Sequence, residues 1–178
     1  MAYLLHDLLA RSAECNPNAP ALTLKGRTLS YANLAELIDR FATGLLALGI
    51  ARGERVAFYL DKRFETVAAS FGTTKAGAVF VPVNPLLKGD QVAHILRDCN
   101  VRVLVTTDER LRSIAPILAT CPDLRHVVVI GELESLPDTG KHHVAWSTFA
   151  AETGAEGHRV IDTDMAAILY TSGSTGRP

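Results

Sequence analysis

The sequence predicts an α/β fold, a mainly parallel sheet flanked by helices, and three observations predict it. The strand candidates, such as 79–83 and 126–130, are short continuous apolar runs, the pattern of strands buried on both faces. Strands and amphipathic helical stretches alternate from residue 55 to residue 130 at the spacing of strand–helix–strand units. Hydrophobic residues make up 48% of the 178 residues and charged residues 21%, an ordinary soluble composition in a chain long enough to bury one core.

Residues 3–15 place Leu4, Leu5, Leu8 and Leu9 on one helical face, and Asn16, Pro17 and Asn18 end that helix. Residues 21–24 and 28–29 flank Lys25, Gly26 and Arg27 as the strands of a small hairpin. Ser30 is the N-cap of a helix that turns Leu34, Leu37, Ile38, Phe41, Leu45 and Leu48 inward, with Gly49 as its left-handed C-terminal cap. Asn33 lacks the carboxylate of a full capping box, so this cap is expected to be slightly weak. Residues 55–60 form a strand, and Asp61 is expected to cap a helix that runs to residue 74.

Lys75, Ala76 and Gly77 then turn the chain into strand 79–83, which Pro82 and Pro85 end and aim. Residues 89–98 form an amphipathic helix with Val92, Ile95 and Leu96 inward, followed by strand 101–106, helix 108–119 and strand 126–130. From residue 131 to 162 the pattern loosens, with Gly140, Gly154, Gly157 and several charges between short apolar pieces. That stretch reads as a surface connection with a small helix near residues 147–152. The chain thus divides into a first α/β subdomain at 1–130, a connecting segment at 131–164, and the start of a second subdomain at 165–178 that opens with a strand at 166–171.

The bulk properties exclude several function classes. A net charge of −1 offers no electrostatic footprint for nucleic acid or an anionic membrane. Glu65 and Lys75 interrupt the most apolar region, so no transmembrane segment is expected. The N-terminus lacks the basic start and small-residue cleavage site of a secretory signal. Cys15, Cys99 and Cys121 are odd in number and unclustered, which fits reduced thiols and a cytoplasmic location.

The chemistry is concentrated in residues 170–178: Tyr170, Thr171, Ser172, Gly173, Ser174, Thr175, Gly176, Arg177 and Pro178. They follow the apolar run 165–169, so a strand opens into a loop of glycines and small hydroxyl residues. Glycine lets backbone approach a phosphate closely, and serine and threonine hydroxyls join the backbone N–H groups as donors. Taken alone, the loop reads equally as an ordinary Ser/Gly turn. It is not a Walker loop, because only two residues separate Gly173 from Gly176 and no Lys-Ser/Thr follows. No Gly-x-Gly-x-x-Gly follows any strand, which removes a dinucleotide-binding reading.

This ending resembles the phosphate-binding signature of the adenylate-forming enzymes: an aromatic residue, Thr-Ser-Gly-Ser/Thr-Thr-Gly, a variable residue, Pro and Lys. Residues 170–178 match it up to the proline. Leu29, Ser30, Tyr31, Ala32, Asn33 and Leu34 resemble the family's early Leu-Thr-Tyr-x-Glu-Leu motif, with Asn33 in place of Glu. Residues 75–85 resemble its Lys-Ala-Gly-x-x-Tyr/Val-Pro-Leu/Ile-Asn/Asp-Pro motif. The three lie in the family's order from residue 29 to 178.

The resemblance implies that Thr171, Ser172, Gly173, Ser174, Thr175 and Gly176 hold the β- and γ-phosphates of ATP while a carboxylate attacks the α-phosphate, normally with Mg²⁺ present. Asn84 and the stretch 91–96 look more like the fatty-acyl ligases, which implies transfer of the acyl group to CoA. A peptide-synthetase adenylation domain and a non-catalytic α/β interaction module are the alternatives. The family's acyl pocket, metal-binding glutamate and catalytic lysine would lie beyond residue 178. The chain is therefore expected to be an N-terminal portion, inactive by itself, with 172–178 as a mobile tail and an exposed strand edge that recruits a second copy.

The remaining candidates read as structural. Lys75 suits the negative end of its helix and Gly77 a tight turn. His142 and His143 read as a solvated loop, because neighbouring histidines diverge and no ligand partner has the right spacing. His6, His94, His126 and His158 are scattered singles, and Cys99 and Cys121 pack beside apolar residues. The Asp162 and Asp164 pair either binds a cation or caps the start of the final strand.

Overall fold

A carboxylate displaces the start of the first helix. In the computed structural model, which describes residues 4–149 and 157–171, α1 spans Asp7–Cys15. Residues 4–6 form a turn instead of the expected first helical turn, because the Asp7 carboxylate accepts from the Leu4 N–H at 3.2 Å. Leu9 packs inward as expected, but Leu8 is left 52% exposed. Strands β1 (Pro20–Leu24) and β2 (Arg27–Ser30) pair antiparallel, confirming the hairpin. Lys25 and Gly26 both take positive φ, 48° and 78°, and a two-residue turn of that kind matches the twist of a hairpin.

Helix α2 (Tyr31–Ala47) begins where expected, with the Ser30 hydroxyl accepting from the Asn33 N–H at 3.3 Å. It buries Leu34, Ile38, Phe41 and Leu45, while Leu37 and Leu48 are only partly covered. Gly49 follows at φ 74°. Helix α3 (Phe64–Lys75) is capped at Arg63 and not at Asp61, a correction. The Asp61 carboxylate instead accepts from Arg110 at 2.7 Å, which holds residue 61 outside the helix.

Strands β3 (Arg55–Tyr59), β4 (Val79–Val83), β5 (Val101–Thr107), β6 (His126–Ile130) and β7 (His142–Ala145) form one sheet. Its order is β4-β3-β5-β6-β7 and every pair is parallel. Helices α4 (Gly89–Asp98) and α5 (Asp108–Leu118) complete the alternation, and a last short helix, α6 (Trp146–Phe149), follows β7. Alternate strand residues feed two cores. Ala57, Val81, Val127 and Val129 pack with α4 and α5, while Val56, Phe58, Val128 and Ile130 pack with α2, α3 and α6. In β5 a register shift opposite Arg55 and Val56 puts Val101 in the first core but Val103 and Val105 in the second.

Two further differences concern the later part of the chain. Strand β7 lies in the stretch read as a surface connection, so His142 and His143 belong to a sheet edge and not to a solvated loop. The small helix begins at Trp146, and the rest of the expected 147–152 span lies partly outside the described residues. The final strand 166–171 is reduced to one parallel bridge, Ala167 beside Phe80. Its cause is on β4: the next ladder bond would come from the N–H of residue 82, and Pro82 has none.

Candidate functional site

Of the six residues expected to contact phosphate, Thr171 alone lies among the described residues, where it is exposed. Ser172, Gly173, Ser174, Thr175 and Gly176, with the expected mobile tail 172–178, lie outside them. What the structure defines is the stem that delivers the loop. Phe80 donates its N–H to the Ala166 carbonyl at 3.0 Å, and Ile168 donates to the Phe80 carbonyl at 3.0 Å. The stem therefore runs parallel to β4 and points Thr171 towards the carboxyl ends of the strands. Open α/β sheets take their ligands at that end.

Three anchors fix the stem from outside its own sequence. Arg52 makes a two-pronged ion pair with Asp164, Nε to Oδ2 at 3.1 Å and Nη2 to Oδ1 at 2.5 Å. Asp164 also accepts from the Ile161 N–H at 3.0 Å, so of the two readings of the Asp162 and Asp164 pair, Asp164 is a cap and an ion-pair partner. The Arg52 hydrogen bond, with the Ile161 N–H, holds the Asp164 carboxyl below its ordinary value. Its contribution to stability is accordingly present above the ordinary aspartate range and is lost as pH falls through the lowered value.

The second anchor is His158, whose Nε2 lies 2.8 Å from the Ile50 carbonyl. A carbonyl only accepts, so Nε2 carries the proton. This segment crosses Gly77, where φ is 76° and a Cβ would come within 3.0 Å of the His158 Cβ. The turn expected at Gly77 is there, and close approach of 157–160 is a second reason for glycine. Lys75 ends α3 and pairs with Asp39 on α2, which bears out its structural reading.

The third anchor lies immediately before the loop. The Tyr170 hydroxyl donates to the Asp98 carboxylate and sits 3.2 Å from Cys99 Sγ, both at the end of α4. Ile168 and Tyr170 face the core shared with α4, while Met165 and Leu169 are 62% and 68% exposed. Burial, then the bonds to Asp98 and Cys99, push the Tyr170 phenol up, so it stays a neutral donor at physiological pH. Tyr170→Phe is expected to loosen the stem at a cost of about 1 kcal/mol. Cys99, buried in the wild type, should then react several-fold faster with a thiol reagent. An unchanged labelling rate would show that the hydroxyl does not hold the stem.

Between the stem and the amino ends of β3, β4 and β5 lies a cleft of about 490 Å³. Its polar groups already have partners: Arg55 donates to the carbonyls of Gly53 and Asn100 at 3.2 and 3.0 Å, and Arg52 is held by Asp164. The cleft is a seam of the fold. At the end of β4, the Asn84 Oδ1 accepts from the Leu86 N–H at 2.9 Å and fixes the turn after Pro85. An aspartate makes the same turn. Among the described residues no three His, Cys, Asp or Glu side chains converge on a common point.

The sequence does not mark Arg52, Asp98, Cys99 or His158 as site residues, and it marks Asp164 as a cap but not as the partner of Arg52. Arg52 and Asp164 lie 112 positions apart and Asp98 and Tyr170 lie 72 apart. No local pattern marks either pair.

The profile of the AMP-binding enzyme family matches residues 9–178. The chain is 36% identical over 167 residues to the fatty acid–[acyl-carrier-protein] ligase ScoC of Streptomyces coeruleorubidus, covering 93% of this chain and 30% of that protein. It is 34% identical over 169 residues to surfactin synthase subunit 3 of Bacillus subtilis (strain 168), covering 94% of this chain and 12% of that protein. Among solved structures, the anthranilate CoA ligase AuaEII in complex with anthranoyl-AMP superimposes with a TM-score of 0.87 and 31% identity, over 100% of this chain and 34% of that one. The chain thus spans about a third or less of the length of these three proteins.

Proposed function

The chain belongs to the AMP-binding enzyme family, and from that premise we propose that the intact enzyme activates a carboxylic acid of the fatty type with ATP and passes the acyl group to CoA. The family implies ATP use and AMP-forming chemistry. A carboxylate oxygen attacks the α-phosphorus, the bond from that phosphorus to the bridging oxygen breaks, and pyrophosphate leaves with the electron pair. The CoA sulfur, as thiolate, then attacks the acyl carbonyl, and AMP departs.

In this reading Thr171, Ser172, Gly173, Ser174, Thr175 and Gly176 cradle the β- and γ-phosphates. The observation that carries it is the donor set: residues 171–176 contain only hydroxyl side chains and glycine. They follow directly on a stem held by Arg52, Phe80 and Asp98. Such a set supplies hydroxyl and backbone N–H donors with no side-chain negative charge to oppose phosphate. Mg²⁺ carried on the nucleotide would neutralise part of the phosphate charge when bound. The described residues contribute no ligand cluster to it.

Within the family, acceptor and acid are the finer question. One relative carries an acyl-carrier-protein ligase name, another is a surfactin synthase subunit, and the structural neighbour is a CoA ligase. The Asn84 side chain does not separate these branches, since its turn is available to aspartate as well. The choice of a fatty acid and CoA rests on the motif resemblance. The test is ATP–pyrophosphate exchange by the intact enzyme, screened over short, medium and long fatty acids, aryl acids and amino acids. Exchange driven by a fatty acid, followed by acyl-CoA formation, supports the reading. Exchange driven by amino acids would move the assignment to a peptide-synthetase domain.

A further inference from the structure

We propose that His126 and His142 form a surface site for a divalent late transition metal ion such as Zn²⁺. The sequence separates these residues, and the sheet brings them together. His126 on β6 stands directly opposite His142 on β7 in the parallel register, so both side chains leave the same face of the sheet. Their Nδ1 atoms are 3.4 Å apart, the ring centroids 5.5 Å apart, and the rings nearly perpendicular at 89°.

A separation of 3.4 Å is long for a hydrogen bond between them, whose optimum is about 3 Å. It suits a shared ion better. A metal about 2.0–2.1 Å from each nitrogen would subtend an angle of about 110° at that spacing, close to tetrahedral. Both groups must be neutral to serve as ligands. In the neutral form each imidazole has one ring nitrogen with a free lone pair, and the two Nδ1 atoms are the ring nitrogens placed within reach of a common ion. The pair lies on an exposed sheet edge, where water can complete the coordination shell.

The chemistry of the donors names the ion class. Two imidazoles with water favour Zn²⁺, Cu²⁺ or Ni²⁺ over Mg²⁺ or Ca²⁺. The site is therefore distinct from any Mg²⁺ carried by a nucleotide and does not rest on the ligase reading. His143 does not join it, because consecutive strand residues face opposite sides and its Nε2 lies 2.7 Å from the Thr139 hydroxyl. No third His, Cys, Asp or Glu completes the site among the described residues, and Arg125 opposes a cation, so affinity is modest. A bound ion would tie edge strand β7 to β6.

Titration calorimetry with ZnCl₂ at neutral pH tests this on the purified protein. One Zn²⁺ per chain is expected, weakened by roughly tenfold or more in His126→Gln and in His142→Gln. His143→Gln and His94→Gln should bind as the wild type does. Far-UV circular dichroism verifies the fold of each variant, and exposed His142 carries the test if His126→Gln unfolds. No Zn²⁺ binding at millimolar concentration by the wild type, or equal binding by all four variants, overturns the proposal.

Discussion

Replacing Gly173 with Val should lower acid-dependent ATP–pyrophosphate exchange by about 100-fold or more and leave the melting temperature unchanged. If residues 171–176 cradle phosphate, their backbone N–H groups serve it only where it can approach the main chain. Glycine allows that approach, whereas valine places a branched side chain there and restricts the backbone. The stem should not respond, because its anchors come from Arg52, Phe80, Asp98 and Ile50, all outside the loop. Exchange rates and calorimetric melting separate the two effects. A Gly173→Val enzyme within a few-fold of wild type would remove residues 171–176 from phosphate binding.

Phe41→Ala should destabilise the fold by about 3–5 kcal/mol. Phe41 is 0% exposed and sits where three helices meet. Its ring centroid lies 5.2 Å from that of Trp146, stacked, and 5.2 Å from that of Phe149, edge-on. Beneath it α3 comes close: a Cβ on Gly72 would meet the Phe41 Cδ1 at 2.9 Å and the Ile38 carbonyl at 2.9 Å. Gly44 is as tightly covered, with the Phe149 carbonyl 2.6 Å from where its Cβ would stand. Surroundings fixed by backbone contacts collapse poorly into a cavity, so the upper part of the range is expected. Urea unfolding gives the value, and a loss below about 1 kcal/mol would show that the neighbours refill the space.

The parts of the fold legible in the sequence are those written in continuous apolar runs and local caps. Strands β4 and β6 and helix α4 coincide with expectation, and β3, β5, α2 and α5 differ by a residue or two. Strand β7 escaped because it begins with His142 and His143 and lies at a sheet edge, where one side needs no apolar cover. Its pairing with β6 is non-local information. The stretch 166–171 shows the opposite error: the apolar pattern is present, but Pro82 on the neighbouring strand withholds the donor that would extend the ladder. At α3 the expected cap misled, since Asp61 bonds to Arg110, 49 positions away, a partner that sequence spacing does not reveal.

The candidate site divides along the same line. Its chemistry, a run of glycine and hydroxyl residues after an apolar segment, is local and therefore legible. Its placement depends on Arg52 meeting Asp164 and on Tyr170 reaching Asp98 and Cys99, contacts that exist only once β3, α4 and the stem are assembled. Gly77 lies between these cases. Its turn is written in the sequence, and its contact with His158 is not.

Attack of a carboxylate on the α-phosphate leaves a record in the products that can be read directly. Heavy oxygen placed in both carboxylate positions of the acid substrate is followed through one turnover of the intact enzyme with ATP and CoA. The account predicts AMP carrying one heavy oxygen, with pyrophosphate unlabelled. Label in inorganic phosphate with ADP as co-product, or in neither nucleotide nor phosphate, would contradict it.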